Sequence, residues 1–150
     1  MKTNGWNGTI RGKPENGATA ERTKRVDERD IELFAQITGD RNPLHFDAEA
    51  AARSMFGGLI VQGGITSGLL NAIVAEDLPG PGTVFLSVEW KFVKAVYVGV
   101  SITGRVEITT VRDDKPICTI ATSVRNQDGV VCLSGTATTY TVALKISERQ

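Results

Sequence analysis

The chain has 150 residues, the length of one ordinary domain, and 41% of them are hydrophobic. Its 17 basic and 17 acidic side chains balance, so we expect no general affinity for nucleic acid or for an anionic membrane. No apolar run is long enough for a membrane span or a signal peptide, which predicts a cytoplasmic protein. The two cysteines, Cys118 and Cys132, provide neither a disulfide framework nor a cysteine-rich zinc site.

The first half of the chain carries helical signals. Residues 1–18 are rich in Gly and Asn and are predicted to be an irregular lead-in, with one short strand over residues 8–12, to a single domain spanning residues 1–150. A helix is predicted next, because Asp27 can cap it, apolar residues recur with helical spacing, and Gly39 can end it. After an Asn-Pro turn, Asp47 can cap a second helix of two turns, AEAAARSMF, which two glycines end.

The most apolar segment is LIVQGGITSGLLNAIVAEDLPGPG, residues 59–82. Its apolar residues cover more than one helical face, which predicts a helix surrounded by other elements. Beyond this segment apolar and polar residues alternate, which predicts long antiparallel strands with one buried face each. The predicted buried face of the first strand consists of Val84, Leu86, Val88, Trp90 and Phe92.

Two further strands are predicted on either side of the turn NQDG, residues 126–129. If the turn has two residues and the residues on either side of it pair with each other, Cys118 lies opposite Ala137. Cys118 is then too far from Cys132 for a disulfide. A long buried helix followed by about four long antiparallel strands implies a curved sheet wrapped around the helix. This α+β architecture is the hot-dog fold.

The only histidine of the chain, His45, follows Asp40 by five residues. The residue before Pro43 is pushed out of the helical region, so the chain turns here and Asp40 and His45 can converge. A carboxylate and an imidazole that share one water suit general acid and base catalysis on an uncharged substrate. The alternative is that Asp40 caps the turn and His45 hydrogen-bonds only to the backbone.

Glycines in VQGGITSG, residues 61–68, precede the predicted core helix and leave backbone N–H groups uncovered at its positive end. Such amides can hold the oxygen of a polarised thioester carbonyl. The alternative is that the glycines only permit close packing of the helix against the sheet. Asp47 and Glu49 are interpreted as a cap and a first-turn acid rather than as catalysts.

A specific resemblance rests on FAQITGDRNPLHFDAEAAARSMFGGLIVQGG, residues 34–64. The segment resembles the hydratase signature of MaoC-like dehydratases and (R)-specific enoyl-CoA hydratases, a Gly-Asp-x-Asn-Pro-x-His motif followed by an acidic, Ala-rich helix and a glycine before the hot-dog helix. Residues 78–100 also look like the family's first long strand and the turn after it. The similarity covers roughly residues 20–142.

The resemblance implies reversible syn addition of water to a trans-2-enoyl thioester, which gives the (R)-3-hydroxyacyl thioester. It implies that Asp40 and His45 form the catalytic pair and that the Gly63 amide binds the thioester carbonyl oxygen, while Asn42 and Pro43 hold the loop. It implies no metal and no cofactor, since coenzyme A or acyl carrier protein enters as part of the substrate. It also implies a homodimer, because the family pairs two domains into a continuous sheet.

Two positions depart from the family pattern. Gln62 stands where the family usually has histidine, and Gly64 stands where it usually has a larger apolar residue. Together with Asn42 they are the predicted substrate-binding residues. Gln62 keeps hydrogen-bonding capacity but does not titrate near neutrality, and Gly64 predicts a wider or differently shaped acyl pocket.

Two other functions stay open. A hot-dog thioesterase would need a carboxylate or similar group on the core helix, aimed at the carbonyl, and the helix has none before Glu76. A non-catalytic acyl-CoA-binding subunit would share the fold but could lose the pair formed by Asp40 and His45. Both residues of the pair are present.

Overall fold

The computed structural model describes residues 4–145, which contain five strands and four helices. No helix within this range is long and apolar enough to cross a membrane. In chain order the elements are β1 (Thr19–Arg25), α1 (Glu28–Thr38), α2 (Pro43–Phe46), α3 (Ala48–Arg53), α4 (Gly63–Glu76), β2 (Thr83–Phe92), β3 (Ser101–Val111), β4 (Ile117–Asn126) and β5 (Val131–Thr141).

The segment before β1 contains turns, and the short strand predicted over residues 8–12 is wrong. Gly8 and Gly12 have φ values of 81° and 75°, so the chain bends at both ends of that stretch instead of extending. The first strand begins later, at Thr19, where it pairs with β3.

Helix α1 forms as predicted. Asp27 caps it by accepting from the Arg29 and Asp30 amides, and the Asp30 side chain accepts from the Asp27 amide in return. Gly39 ends it in the left-handed conformation with φ 82°.

The two short helices differ from the sequence-based expectation. Helix α2 was not predicted as a helix: Asn42 caps it through a 3.0 Å hydrogen bond from the Leu44 amide, and Pro43 occupies its first turn, where proline is tolerated. Helix α3 is capped by Asp47 as expected but ends at Arg53, short of the predicted glycines. The Ser54 hydroxyl binds the Ala51 carbonyl at 2.6 Å and closes the helix there.

The five strands form one antiparallel sheet in the order β1-β3-β4-β5-β2. Helix α4 packs against β3 and also contacts β1, β2 and β4, so most of the sheet lies around it. The side chains that α4 buries are Thr66, Leu69, Leu70, Ile73 and Val74. The predicted hot-dog fold is therefore confirmed.

The pairing of β4 with β5 differs from the predicted register by two residues. Cys118 lies opposite Thr139 rather than Ala137. One residue of the shift arises because Asn126 pairs with Val130 instead of Gly129, and the other arises from an irregularity in the pairing between Val124 and Arg125. Both cysteines are buried and free, and burial raises the pKa of the Cys118 thiol to about 12.

Strand β2 does not bury the face that alternation predicts. Its pairing with β5 is irregular between Phe85 and Ser87, and this shift changes which face the following side chains occupy. As a result the Phe85 and Trp90 rings meet edge to face, 5.6 Å apart. The β2 side chains that stay exposed are Val84 (52%), Leu86 (55%), Val88 (44%) and Phe92 (57%). Because β2 is an edge strand, its second side has no neighbouring strand among residues 4–145.

Candidate active site

The loop after α1 brings Asp40 and His45 together. The Asp40 amide donates to the Thr38 hydroxyl at 3.1 Å, and the Asp40 Oδ1 accepts from the Asn42 amide at 3.2 Å. These bonds turn the chain directly into α2, which carries His45. The His45 Nε2 atom then lies 3.9 Å from the Asp40 Oδ2 atom.

The His45 ring is fixed by a backbone carbonyl. Its Nδ1 lies 2.7 Å from the Ile60 carbonyl oxygen, which can only accept, so Nδ1 carries the proton of the neutral ring. The Ile60 amide in turn donates to the Leu44 carbonyl at 3.2 Å, which ties the same two segments together. His45 is 8% exposed, and its Nε2 lone pair is left facing Asp40.

Both sequence-based interpretations of this pair describe real contacts. Asp40 does support the turn, through Oδ1, and His45 does bond to the backbone, through Nδ1. Each contact uses only one atom of its side chain. The remaining atoms, Oδ2 and Nε2, are both acceptors in the ionised carboxylate and the neutral imidazole. Their 3.9 Å separation exceeds a direct hydrogen bond and allows one water to lie about 2.8 Å from each.

The start of α4 is the second part of the site. Gly63 is its first residue, and the N-cap residue, Gln62, makes no side-chain capping bond. The first N–H groups of a helix have no intrahelical partner, so this end presents free donors and the positive end of the helix dipole. Gly63 and His45 line the same pocket, which has a volume of about 370 Å³.

The pocket lies between the Asn42–His45 segment, the start of α4 and the end of β2, and Asp40 stands next to His45 without being one of its lining residues. Its polar lining includes Asn42, His45 and Thr66, and most of the remaining lining is apolar. Phe92, which the alternation of the first strand places in the core, contributes to its wall together with Val93. Alternation does not identify Phe92 as a lining residue, because it cannot tell a core face from the wall of a pocket.

Gln62 and Gly64 face α1 instead of this lining. The Gln62 side chain is buried and donates from Nε2 to the Ile31 carbonyl at 3.1 Å, while its Oε1 has no partner among residues 4–145. A Cβ on Gly64 would lie 2.3 Å from Cζ of Phe34. The Phe34 ring therefore occupies the vacated space, so Gly64 does not widen the lining, and a differently shaped acyl pocket stays a prediction.

Comparison with known proteins agrees with this arrangement. Residues 10–129 match the MaoC-like domain. The chain belongs to the MaoC-like family. The (R)-specific enoyl-CoA hydratase of Aeromonas caviae is 36% identical over 123 residues, which cover 82% of this chain and 92% of that protein. The 3-hydroxybutyryl-CoA dehydratase of Methylorubrum extorquens is 37% identical over 117 residues, which cover 78% of this chain and 74% of that protein.

Solved structures of MaoC-like relatives share the fold. The (R)-hydratase from A. caviae superposes with a TM-score of 0.82 at 34% identity, covering 86% of this chain and 98% of that one. The unliganded R-hydratase PhaJ1 from Pseudomonas aeruginosa superposes with a TM-score of 0.81 at 34% identity, covering 91% and 90%. The hot-dog architecture of these hydratases is thus also the architecture of this chain.

Proposed function

We propose that the protein is an (R)-specific enoyl-CoA hydratase, which reversibly adds water to a trans-2-enoyl thioester to give the (R)-3-hydroxyacyl thioester. The observation that carries the proposal is the facing pair of acceptors, Asp40 Oδ2 and His45 Nε2, 3.9 Å apart, with His45 lining the same pocket as Gly63 at the uncapped start of α4. The names of the relatives from A. caviae and M. extorquens, a hydratase and a dehydratase, support the same reaction class.

In the hydration direction, one water donates its hydrogens to Asp40 Oδ2 and His45 Nε2, and its oxygen attacks C3 of the enoyl thioester. The thioester carbonyl accepts from the Gly63 N–H, which stabilises the negative charge that develops on its oxygen. The proton taken from the water is returned to C2 by the same pair. Because one pair handles both the water and the proton, hydroxyl and hydrogen add to the same face of the double bond.

We propose that this reaction uses no metal and no redox cofactor. Its steps are one proton abstraction, one proton delivery and stabilisation of one oxyanion, which side chains and backbone amides can supply. Coenzyme A or acyl carrier protein enters as part of the substrate. The cytoplasmic location and the lack of nucleic-acid and membrane partners stay predictions from the sequence.

We also propose that the protein is a homodimer in which two β2 strands pair into a continuous sheet. An unpaired edge strand of ten residues with apolar side chains is exposed to aggregation unless another chain covers it. Four such side chains on β2, including Val88 and Phe92, are between 44% and 57% exposed. A second copy would cover them.

Light scattering at micromolar concentration tests the dimer. Val88→Glu should give a monomer, since it places a charge on the proposed contact, whereas Ile37→Glu on α1, at a position 83% exposed, should leave the dimer intact. A monomeric wild-type protein would contradict the proposal.

Incubation with crotonyl-CoA tests the activity and separates the three candidate functions. Loss of the conjugated thioester absorbance without release of free thiol indicates a hydratase. Release of thiol indicates a thioesterase, and binding without either change indicates an acyl-CoA-binding subunit. A thioesterase of this fold would need a carboxylate or similar group on α4 aimed at the carbonyl, and α4 carries no Asp or Glu before Glu76, at its last position.

A further inference from the structure

Thr66 is a buried polar residue that the catalytic pair and the Gly63 amide leave unexplained. It is 3% exposed and lines the same pocket as His45 and Gly63. Its hydroxyl makes no hydrogen bond to any residue in the range 4–145, not even to the carbonyl four residues earlier, which helical threonines commonly use. Thr38 on α1 makes that bond to the Phe34 carbonyl at 2.8 Å.

The hydroxyl of Thr66 is positioned near the start of α4. Thr66 follows Gly63 by three residues, and residues at this spacing share one helix face. The Cα–Cβ bond of a helical residue leans toward the N-terminus, so the Thr66 side chain leans over the turn that begins with Gly63. The free amide and the free hydroxyl therefore belong to one wall of the pocket.

We propose that Thr66 is a further catalytic residue, whose hydroxyl donates a second hydrogen bond to the thioester carbonyl oxygen held by the Gly63 amide. The inference rests on the proposed hydratase function. The Thr66 hydroxyl has no partner among residues 4–145 and belongs to a residue that lines the pocket, so it is available to a ligand, and a carbonyl oxygen has two lone pairs to accept two donors. Charge grows on that oxygen in the transition state, so the bond contributes more to turnover than to substrate binding.

Threonine variants of nearly equal size test the role of the hydroxyl. Thr66→Val removes the hydroxyl and keeps the shape, whereas Thr66→Ser keeps the hydroxyl. Thr139→Val is the matched control, because the Thr139 hydroxyl likewise has no partner in the described chain but is fully buried on β5, outside the lining of the pocket. The substrate is crotonyl-CoA, and kcat and KM are measured separately.

We expect Thr66→Val to lower kcat by about 10²-fold with little change in KM, Thr66→Ser to restore most of that loss, and Thr139→Val to stay near the wild type. A kcat loss below tenfold in Thr66→Val, or a rise in KM alone, would overturn the assignment. If Thr66→Val does not fold, as judged by circular dichroism, the comparison of Thr66→Ser with Thr66→Ala carries the same test.

An inactive wild type would instead overturn the proposed function, and binding would then decide the role of Thr66. The two probes are butyryl-CoA and its thioether analogue, which lacks the carbonyl oxygen. Wild-type protein should prefer the thioester, and Thr66→Val should reduce that preference. An equal preference in both proteins would overturn the Thr66 assignment independently of turnover.

Discussion

The two ends of α4 differ in whether their terminal backbone groups have hydrogen-bond partners in the protein. At the C-terminal end the free carbonyls find partners: the Ile73 carbonyl accepts from the Asp77 amide at 2.8 Å, and the Glu76 carbonyl accepts from the Arg11 side chain at 2.9 Å. At the N-terminal end Gln62 provides no cap and uses its side chain on α1 instead.

This difference indicates which end has a function beyond stability. A helix end inside a folded protein normally has its polar groups satisfied by caps or neighbours. Here the end that lacks a cap is also the end that shares a pocket with His45. The free amides are therefore available to a ligand, whereas the C-terminal carbonyls are already bonded to protein groups.

The largest effect is expected when the catalytic pair beside the N-terminal end of α4 is removed. We expect Asp40→Asn and His45→Gln each to lower turnover of crotonyl-CoA by at least about a hundredfold, because each removes one of the two acceptors for the water. Asp40 lies in a surface loop, so Asp40→Asn should melt close to the wild type. His45 is buried and bonded to the Ile60 carbonyl, so the melting temperature of His45→Gln separates a loss of stability from a loss of catalysis. Near-normal hydration by either variant would show that the pair is assigned wrongly.

A double variant sharpens this result. Asp40 and His45 act on one water, so the variant that carries both changes should lose little more activity than the worse single variant. Losses that multiply would indicate separate roles for the two side chains.

The uncapped N-terminal end of α4, called the open end from here on, is tested by adding a side chain to Gly63. A Cβ on Gly63 would lie 3.1 Å from the Phe92 ring, and the γ-methyls of valine would crowd the place of the carbonyl oxygen. We expect Gly63→Val to lower kcat by about 10²-fold, since a displacement of about 1 Å has that effect on a positioned group. Gly68→Val, on the same helix with nothing within 4 Å of an added Cβ, should keep its activity. Equal effects of the two variants would contradict the role of the Gly63 amide.

The parts of the fold that follow from local rules could be predicted from the sequence. Asp27 and Gly39 set the ends of α1, and the change from helical to alternating spacing marks the passage from α4 to the strands. The pair formed by Asp40 and His45 follows from the turn at Pro43. These features depend on residues close in sequence, which is why pattern and propensity suffice for them.

The failures lie where distant segments meet. The exposure of Val88 follows from the edge position of β2, and the bulge after Phe85 turns Val84 and Leu86 away from the face of Phe85 and Trp90; neither feature is encoded in the alternation. The space beside Gly64 is filled by Phe34, thirty positions earlier in the chain. The free hydroxyl of Thr66 is visible only when the pocket is assembled, since a threonine on an apolar helix otherwise predicts a core position.

A further prediction concerns the packing of Gly64, the second residue of α4, against the Phe34 ring. Because a Cβ on Gly64 would overlap the Phe34 ring, we expect Gly64→Ala to destabilise the protein by about 1–3 kcal/mol, as overpacking does. Thermal unfolding measures this, with Gly68→Ala as the control that should be neutral or stabilising. In a Phe34→Ala background Gly64→Ala should no longer destabilise. If it still does, the cost has a source other than Phe34.

The smallest effect is expected at the C-terminal end of α4, called the closed end because its carbonyls are already bonded to protein groups. A side-chain hydrogen bond from Arg22 to Asp77, with an N–O distance of 2.7 Å, holds the pKa of the Asp77 carboxyl below its ordinary value. A carboxyl whose pKa is lowered by folding stabilises the protein above its unfolded pKa, near 4, and this contribution is lost as the pH falls through the folded value. Asp77→Asn keeps the backbone bond to Ile73 and removes only the charge.

We therefore expect Asp77→Asn to melt about 1–2 °C below the wild type at pH 7, because a partly exposed ion pair contributes little. The difference should vanish in acid, once Asp77 of the wild type is protonated, and hydration of crotonyl-CoA should be unchanged because the change lies at the far end of the 14-residue helix from Gly63. Melting curves across pH and a turnover assay check both statements. A clear loss of kcat in this variant would mean that the two ends of α4 are coupled, so that the closed end helps to position the open one.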